Sequence, residues 1–209
     1  MITTEAKKKG NNVSHRCAWA VNTPLEQAYH DSEWGRPQTD DRVLFEFLVL
    51  EAAQAGLSWR TVLEKREGYR RYYHDFDPVI VAQFGDKEQA AMLLDPAIIR
   101  NKLKIASSIS NAKVFLRLQQ EHGSFARYLW SFVDNKPIQN SWQDYRDVPA
   151  ETEVSKRLSK ALKKEGMRFV GPTICYAFMQ AVGLVNDHEV DCCCYQACRE
   201  AGEAFQLPE

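Results

Sequence analysis

The sequence predicts an all-α fold built from many short helices. Apolar residues recur at helical spacing along most of the chain, alternating strand patterns are scarce, and capping residues precede several apolar segments. The 209 residues are enough for one domain with a buried core, and a hydrophobic fraction of 44% excludes a chain that is disordered throughout. No apolar run reaches the length of about 18 residues that a transmembrane helix needs, so we expect no membrane span.

The first long helix carries apolar residues at positions 44, 45, 48, 49 and 52, which share one helical face. Thr39 or Asp40 is suited to cap its N-terminus, and Gly56 is suited to end it. Ser58 then caps a second helix that runs to about residue 65. Asp77 and Pro78 open a short third helix, with proline in its first turn.

The helices of the second half follow the same spacing argument. Apolar residues at 98, 105, 109, 112 and 116 predict one long amphipathic helix. Apolar residues at 125, 129 and 132 predict another, and those at 154, 158 and 162 predict a strongly basic one. Gly171 and Pro172 begin a last apolar helix that runs through Ala181. We expect residues 1–15 to be a disordered lead without a signal peptide, residues 16–198 to form one helical unit, and residues 199–209 to be a flexible tail.

Cysteine and histidine residues occur as two pairs near the ends of this helical unit. Cys17 and His30 form the first pair, and His188 and Cys192 form the second. Two thiolates and two imidazoles make a tetrahedral zinc set with no net charge and no open position, so such a site would be structural. Cys193, Cys194 and Cys198 are rival ligands. The alternative is two ordinary polar histidines and a small buried thiol, because the pairs lie far apart in sequence.

A basic helix followed by a glycine-rich turn occupies residues 156–173. Six basic residues and one acid lie between positions 156 and 168, the helix ends at Gly166, and a new helix begins near Gly171. This outline suits phosphate binding, because glycine permits close approach and the N–H groups that begin a helix attract anions. The alternative is a solvated helix followed by an ordinary turn.

Four aromatic residues lie close in sequence to a carboxylate in an apolar helix. Trp19, Tyr29, Trp34 and Trp59 surround Glu51, and a charge in so apolar a segment is costly unless it is exposed or paired. Glu51 on an outer helix face, with the aromatics in the core, is the alternative to a binding pocket.

Several long sequence motifs resemble those of a known family. The chain resembles the 3-methyladenine DNA glycosylase I (TAG) family of the helix-hairpin-helix DNA glycosylases, over roughly residues 16–195. The matching motifs are CAW at Cys17–Trp19, YHDSEWG at Tyr29–Gly35, LEAAQAGLSWRTVL at Leu50–Leu63, IIR at Ile98–Arg100, WSFV at Trp130–Val133 and SKALKKEGMRFVGPTICYAFMQAVGLVNDHEVDCCCY at Ser159–Tyr195.

This resemblance implies a two-lobed helix-hairpin-helix glycosylase fold in which zinc ties the N- and C-terminal segments together. It implies excision of 3-methyladenine from double-stranded alkylated DNA by base flipping, with the free base as product, and a cytoplasmic protein that we expect to be a monomer without a membrane partner. The positions that match the family's functional residues are Cys17, His30, His188 and Cys192 for zinc, Glu51 as catalytic acid of the base pocket, Tyr29, Trp34 and Trp59 as its aromatics, and Lys163, Gly166, Arg168, Gly171 and Thr173 for DNA phosphate.

The implied chemistry agrees with these residue types. Methylation at N3 makes adenine cationic, aromatic faces attract a cation, and a carboxylate accepts hydrogen bonds from the base edge. Other helix-hairpin-helix glycosylases carry a catalytic aspartate in a V-D-x-H motif. In this chain Asn186 stands at the position of that aspartate. Asp187 is therefore not assigned as a general base, unless the alignment of the two motifs is shifted by one residue. No lysine is placed for lyase chemistry, so we expect a monofunctional enzyme.

Two other classes of function compete with this expectation. A zinc-stapled, non-catalytic DNA-binding module would share the fold, but it would need no cation pocket around Glu51. A zinc hydrolase or base deaminase is suggested by His188, Glu189 and the cysteine run, yet the P-C-x-x-C word of the deaminases is absent. A redox role for residues 192–194 is a further alternative.

Overall fold

The computed structural model describes residues 15–208, so the expected N-terminal lead, apart from His15, lies outside the described residues. Within that range no helix is long and apolar enough to cross a membrane. The α-helices there are α1 Pro24–Ser32, α2 Asp41–Gln54, α3 Trp59–Tyr72, α4 Pro78–Val81, α5 Asp86–Leu94, α6 Lys102–His122, α7 Phe125–Trp130, α8 Glu153–Lys164, α9 Pro172–Ala181 and α10 Tyr195–Glu203. Short 3₁₀ segments cover Ala18–Val21, Ser131–Val133 and Tyr145–Asp147, and the two strands are β1 Ile138–Gln139 and β2 Val185–Asn186.

Side-chain caps begin the helices that carry the site. Asp40, rather than Thr39, caps α2: its Oδ1 accepts the backbone N–H groups of Arg42 and Val43 at 2.8 and 3.2 Å. Ser58 caps α3 through the N–H of Thr61. Helix α3 continues seven residues beyond the predicted end at 65, because its apolar face continues to the buried Tyr69.

Two boundaries differ from the expectations. The long helix begins at Lys102 and not near Ile98, because the Asn101 side chain accepts the N–H groups of Leu103 and Lys104 and so fixes the first turn. The tail expected from residue 199 is helical as far as Glu203. Beyond it Phe205 stacks on Trp130 with ring centroids 4.1 Å apart, so an apolar contact holds this segment on the core.

The strands are too short to change the all-α class that the sequence predicts. They pair in parallel, with Ile138 opposite Val185 and Gln139 opposite Asn186, and Trp142 forms a bridge with Glu189. This pairing fixes the segment that leads towards residue 150 beside the C-terminal segment that follows α9.

Helix α2 is the central element of the fold. Residues 44–53 are all buried, and the helix contacts α3, α6, α7 and α9. A helix that is enclosed on every side leaves Glu51 no outer face, so the surface alternative for this residue is wrong.

Candidate active site

A cavity of about 560 Å³ lies where α1, α2 and α3 meet α9 and the segment of residues 145–150. Aromatic rings form much of its wall, and one carboxyl group lies in it. It is lined by Trp19, Tyr29, Trp34, Glu51, Gln54, Trp59, Tyr145, Arg146, Val148, Pro149, Ala150, Thr173, Ile174, Tyr176, Ala177 and Gln180. The four residues expected in a base pocket, Tyr29, Trp34, Glu51 and Trp59, therefore line one cavity.

Glu51 is the carboxyl group of this cavity. Its residue is 5% exposed, and its side chain makes no hydrogen bond or ion pair among residues 15–208. Burial disfavours the charged form and raises the pKa of Glu51 to about 8. The described surroundings of this carboxyl group therefore favour its neutral form.

Two further polar groups are buried beside it. The hydroxyl group of Tyr29 and the indole N–H of Trp59 have no hydrogen-bond partner within the described residues. Their rings lie 5.2 Å apart. A buried donor without a partner costs about 1–3 kcal/mol, and native proteins retain few of them. Two such groups and an unpaired carboxyl in one cavity leave hydrogen-bonding positions that a bound molecule can fill.

The four expected metal ligands form one buried cluster. Cys17, His30, His188 and Cys192 place their donor atoms within 4.8 Å of one another. The Cys17 Sγ lies 3.5 Å from His188 Nδ1, and the Cys192 Sγ lies 3.4 Å from His30 Nε2 and 3.5 Å from His188 Nδ1. This group can hold a metal ion.

The outer nitrogen of each histidine is also bonded. His30 Nδ1 lies 2.9 Å from Asp31 Oδ1, and Arg16 pairs with the same carboxylate at 2.7 Å. His188 Nε2 lies 3.2 Å from the backbone oxygen of Trp34. Such contacts fix which ring nitrogen faces the ion and how the ring is turned. Cys198 does not point its thiol into this cluster, while Cys194 lies 3.9 Å from the outer nitrogen of His30.

The turn between α8 and α9 has the features of an anion-binding hairpin. Gly166 has φ of +101°, a backbone conformation that residues other than glycine rarely adopt. Lys163, Gly166 and Arg168 are exposed, and neither basic side chain has an ion-pair partner among residues 15–208. The backbone of Arg168 bonds the side chain of buried Asn111 in both directions at 2.9 Å, which holds the turn in place.

The start of α9 joins this hairpin to the cavity. Gly171 precedes Pro172, and a Cβ atom at Gly171 would meet nothing within 4 Å, so this surface is open. Thr173, in the first turn, lines the cavity. Of the five residues expected to bind phosphate, Thr173 is the one that reaches the cavity wall. Lys163 lies in the last turn of α8, Gly166 and Arg168 lie in the connection, and Gly171 is the N-cap of α9.

Comparison with known proteins assigns the chain to a family. A family model described as methyladenine glycosylase matches residues 19–195. The chain belongs to the methyladenine glycosylase family. DNA-3-methyladenine glycosylase 1 of Escherichia coli strain K12 is 51% identical over 180 residues, which are 86% of this chain and 96% of that protein.

Solved structures agree with this family assignment. A crystal structure of 3-methyladenine DNA glycosylase I is 50% identical, with a TM-score of 0.84 over 87% of this chain and 100% of that chain. A second crystal structure, of a tyrosine-to-phenylalanine variant of 3-methyladenine DNA glycosylase I in complex with 3-methyladenine, is 34% identical. Its TM-score is 0.83, over 86% of this chain and 97% of that chain. The resemblance and the helix-hairpin-helix fold are thus confirmed, and the deaminase alternative is wrong.

Sequence reasoning missed part of the cavity wall of this family member. Tyr176 and Gln180 lie on the inner side of α9, where helical periodicity indicates burial and gives no sign of a pocket. The segment of residues 145–150 has no periodic signal. The β1–β2 pairing, the Trp142–Glu189 bridge and a hydrogen bond from the Tyr145 N–H to the Glu189 carboxylate together hold it beside the cavity. Asp187, to which the sequence assigned no role, is buried behind this wall and accepts four hydrogen bonds, two of them from Tyr176 and Gln180.

Proposed function

We propose that this chain hydrolyses the N-glycosidic bond of 3-methyladenine in double-stranded alkylated DNA, after the damaged nucleotide has been flipped out of the duplex. One observation carries the proposal: the Tyr29 hydroxyl, the Trp59 indole N–H and the Glu51 carboxyl share one cavity, and none of them has a partner within the described residues. A flipped base supplies both acceptors and donors along its edge, so it satisfies all three groups at once.

The cavity also suits the charge of the damaged base. The related crystal structure of a tyrosine-to-phenylalanine variant is a complex with 3-methyladenine. Adenine that is methylated at N3 within DNA is a cation. Rings such as those of Trp34 and Trp59 attract a cation, and an ionised Glu51 complements its charge. Neutral adenine gains neither interaction, so the pocket favours the damaged base over the normal one.

The bond-breaking step needs no strong acid. When the bond between N9 and C1′ breaks, its electron pair stays on the base and neutralises the positive charge. The sugar becomes an oxocarbenium ion, water adds its oxygen to C1′, and one proton passes to solvent. Glu51 binds the leaving base, and its negative charge stabilises the cation before and during cleavage. Entry of the cation favours the ionised carboxylate, so binding lowers the pKa that burial raises and releases a proton from Glu51.

We propose that the α8–α9 hairpin holds the DNA backbone. Lys163 and Arg168 provide charge, Gly166 and Gly171 permit close approach, and the first turn of α9 at Thr173 offers backbone N–H groups. Since Thr173 also lines the cavity, a phosphate bound there lies beside the flipped nucleotide. Glu165, the one acid between positions 156 and 168, is paired with Arg117 at 2.7 Å, so its charge does not oppose phosphate.

We propose zinc for the metal centre. Zinc bonds of about 2.3 Å to sulfur and 2.0–2.1 Å to nitrogen at tetrahedral angles separate sulfur from nitrogen by about 3.5 Å. The sulfur–nitrogen distances of 3.4–3.5 Å in the cluster fit this value. Four protein ligands leave no position for water, so the ion would have a structural role and would link residues far apart in the chain.

Incubation with methylated duplex DNA and chromatography of the released bases test the proposed activity. We expect 3-methyladenine in the supernatant and an abasic strand that stays intact until alkali is added. If the protein binds the duplex but releases no base, it is the non-catalytic DNA-binding module that the same fold permits.

A further inference from the structure

The buried carboxylate of Asp187 has no part in the mechanism above. It is 1% exposed and accepts four hydrogen bonds, all from neutral donors. Asn140 Nδ2 and Trp142 Nε1 donate to Oδ1 at 2.7 and 2.8 Å. The Tyr176 hydroxyl and Gln180 Nε2 donate to Oδ2 at 2.6 and 2.8 Å. Two of these donors, Tyr176 and Gln180, belong to residues that line the cavity.

This arrangement decides how the Gln180 side chain is turned. Four donors surround the two carboxyl oxygens of Asp187, and among them Gln180 contributes its Nε2 at 2.8 Å, so the NH₂ group of the Gln180 amide faces Asp187. The carbonyl oxygen of the amide then points away from Asp187. Within residues 15–208 this oxygen has no hydrogen-bond partner, and it is not among the buried unpaired atoms. The cavity wall therefore presents a fixed acceptor at Gln180.

We infer that Asp187 is a positioning residue and Gln180 a specificity-determining residue: Asp187 holds the Gln180 carbonyl oxygen towards the cavity, where it accepts a hydrogen bond from the amino group of a methylated adenine. The inference rests on the proposed function and adds to it a reason for choosing between purines.

The choice follows from the edges of the two bases. Adenine carries an amino group at C6, which donates, whereas guanine carries an oxygen there, which accepts. A fixed acceptor at Gln180 pairs with the amino group of adenine. With guanine, the carbonyl oxygen of Gln180 faces the oxygen on C6 of the base, and both acceptors stay unpaired. Such unpaired buried groups strongly disfavour binding of the wrong base. If Gln180 could turn, its NH₂ group would serve guanine equally well. The hydrogen bond to Asp187 prevents that turn.

The test compares release of 3-methyladenine and 3-methylguanine from the same methylated duplex by the full chain. Asp187→Asn replaces one acceptor oxygen by an NH₂ group, so the Gln180 amide can turn, and Gln180→Met removes the amide at similar length. We expect both variants to lower the ratio of adenine to guanine release by about tenfold. Asn140→Ala is the matched control: it removes another donor to Asp187, on the oxygen that does not face Gln180, and should leave the ratio unchanged.

The outcomes separate the inference from the proposed function. An unchanged ratio in Gln180→Met overturns the role of Gln180, even if Asp187→Asn fails to fold. An unchanged ratio in a folded Asp187→Asn overturns the positioning role, and an equal fall in Asn140→Ala shows a general structural effect. If the wild-type protein releases neither base, the proposed activity is wrong. Binding of free 3-methyladenine and free 3-methylguanine, followed by tryptophan fluorescence, then decides the role of Gln180 separately.

Discussion

The indole ring of Trp34 packs edge-on against the imidazole of His188, with centroids 4.6 Å apart and an interplanar angle of 81°. Trp34 lines the cavity, and His188 belongs to the metal cluster. The backbone oxygen of Trp34 also contacts the outer nitrogen of His188. One wall of the pocket is therefore held directly by a residue of the Cys/His cluster, and this contact links the stability of the cluster to the shape of the pocket.

Removal of the metal should loosen the pocket. We expect Cys17→Ala to lower the zinc content, the melting temperature and the affinity for free 3-methyladenine together, because His188 then loses the ion that fixes its ring. Metal analysis, thermal unfolding and tryptophan fluorescence measure the three effects. Cys193→Ser is the matched control, since Cys193 is exposed and outside the cluster. Full zinc content in a Cys17→Ala protein would contradict the ligand assignment.

Gly35 should tolerate no larger side chain. It has φ of +77°, and a Cβ atom there would lie 2.9 Å from His188 Nε2. Gly56 has the same φ but nothing within 4 Å, so Gly56→Ala reports backbone strain alone. We expect Gly35→Ala to cost about 2 kcal/mol more in unfolding free energy than Gly56→Ala and to weaken metal binding. Equal losses, measured by chemical denaturation, would show that contact with the metal ligand is unimportant.

Glu51 should make the protein less stable as the pH rises. Its pKa is about 8 in the folded chain, against an ordinary value of 4.5. Between these values the folded chain holds a proton that the unfolded chain has lost. The contribution of Glu51 to stability is therefore greatest below pH 4.5, falls as the pH rises from there and is lost above about pH 8. Glu51→Gln removes this dependence and should be more stable than wild type above pH 8, by on the order of 3 kcal/mol.

Denaturant unfolding between about pH 5 and pH 9 checks this expectation. Glu64→Gln, at an exposed position on α3, is the control and should follow the wild-type curve. If wild type and Glu51→Gln lose stability in parallel over this range, burial does not raise the pKa of Glu51 in the folded protein.

The hairpin should bind duplexes of any sequence. Replacing Lys163 and Arg168 by alanine removes two phosphate contacts, so the slope of log affinity against log salt should fall by about 0.9 for each contact. Lys156→Ala is the control, because Lys156 lies on the same helix as Lys163 but is paired with Glu153 at 2.8 Å. Binding isotherms at several salt concentrations measure the slope. A loss confined to one DNA sequence would argue against phosphate contact.

The sequence predicted those parts of the molecule that leave a local pattern. Helical spacing and capping residues located most helices, and the cysteine and histidine pairs predicted the four side chains that cluster, although residue types alone left several thiols as rivals. The partnerless Tyr29 hydroxyl was not predictable, since the absence of a partner depends on every neighbour in space. The same holds for the Asp187 hydrogen bonds, which join Trp142 near β1 to Gln180 on α9 through chain segments far apart in sequence.

The most direct test of the central claim is the single-turnover rate of 3-methyladenine release from a duplex with one lesion, for wild type and Glu51→Gln side by side. The variant keeps the shape of the side chain but cannot become a carboxylate. If Glu51 binds the cationic base, release should slow by about tenfold to hundredfold while duplex affinity stays unchanged. Equal rates for the two proteins would remove Glu51 from the site and contradict the account of the pocket.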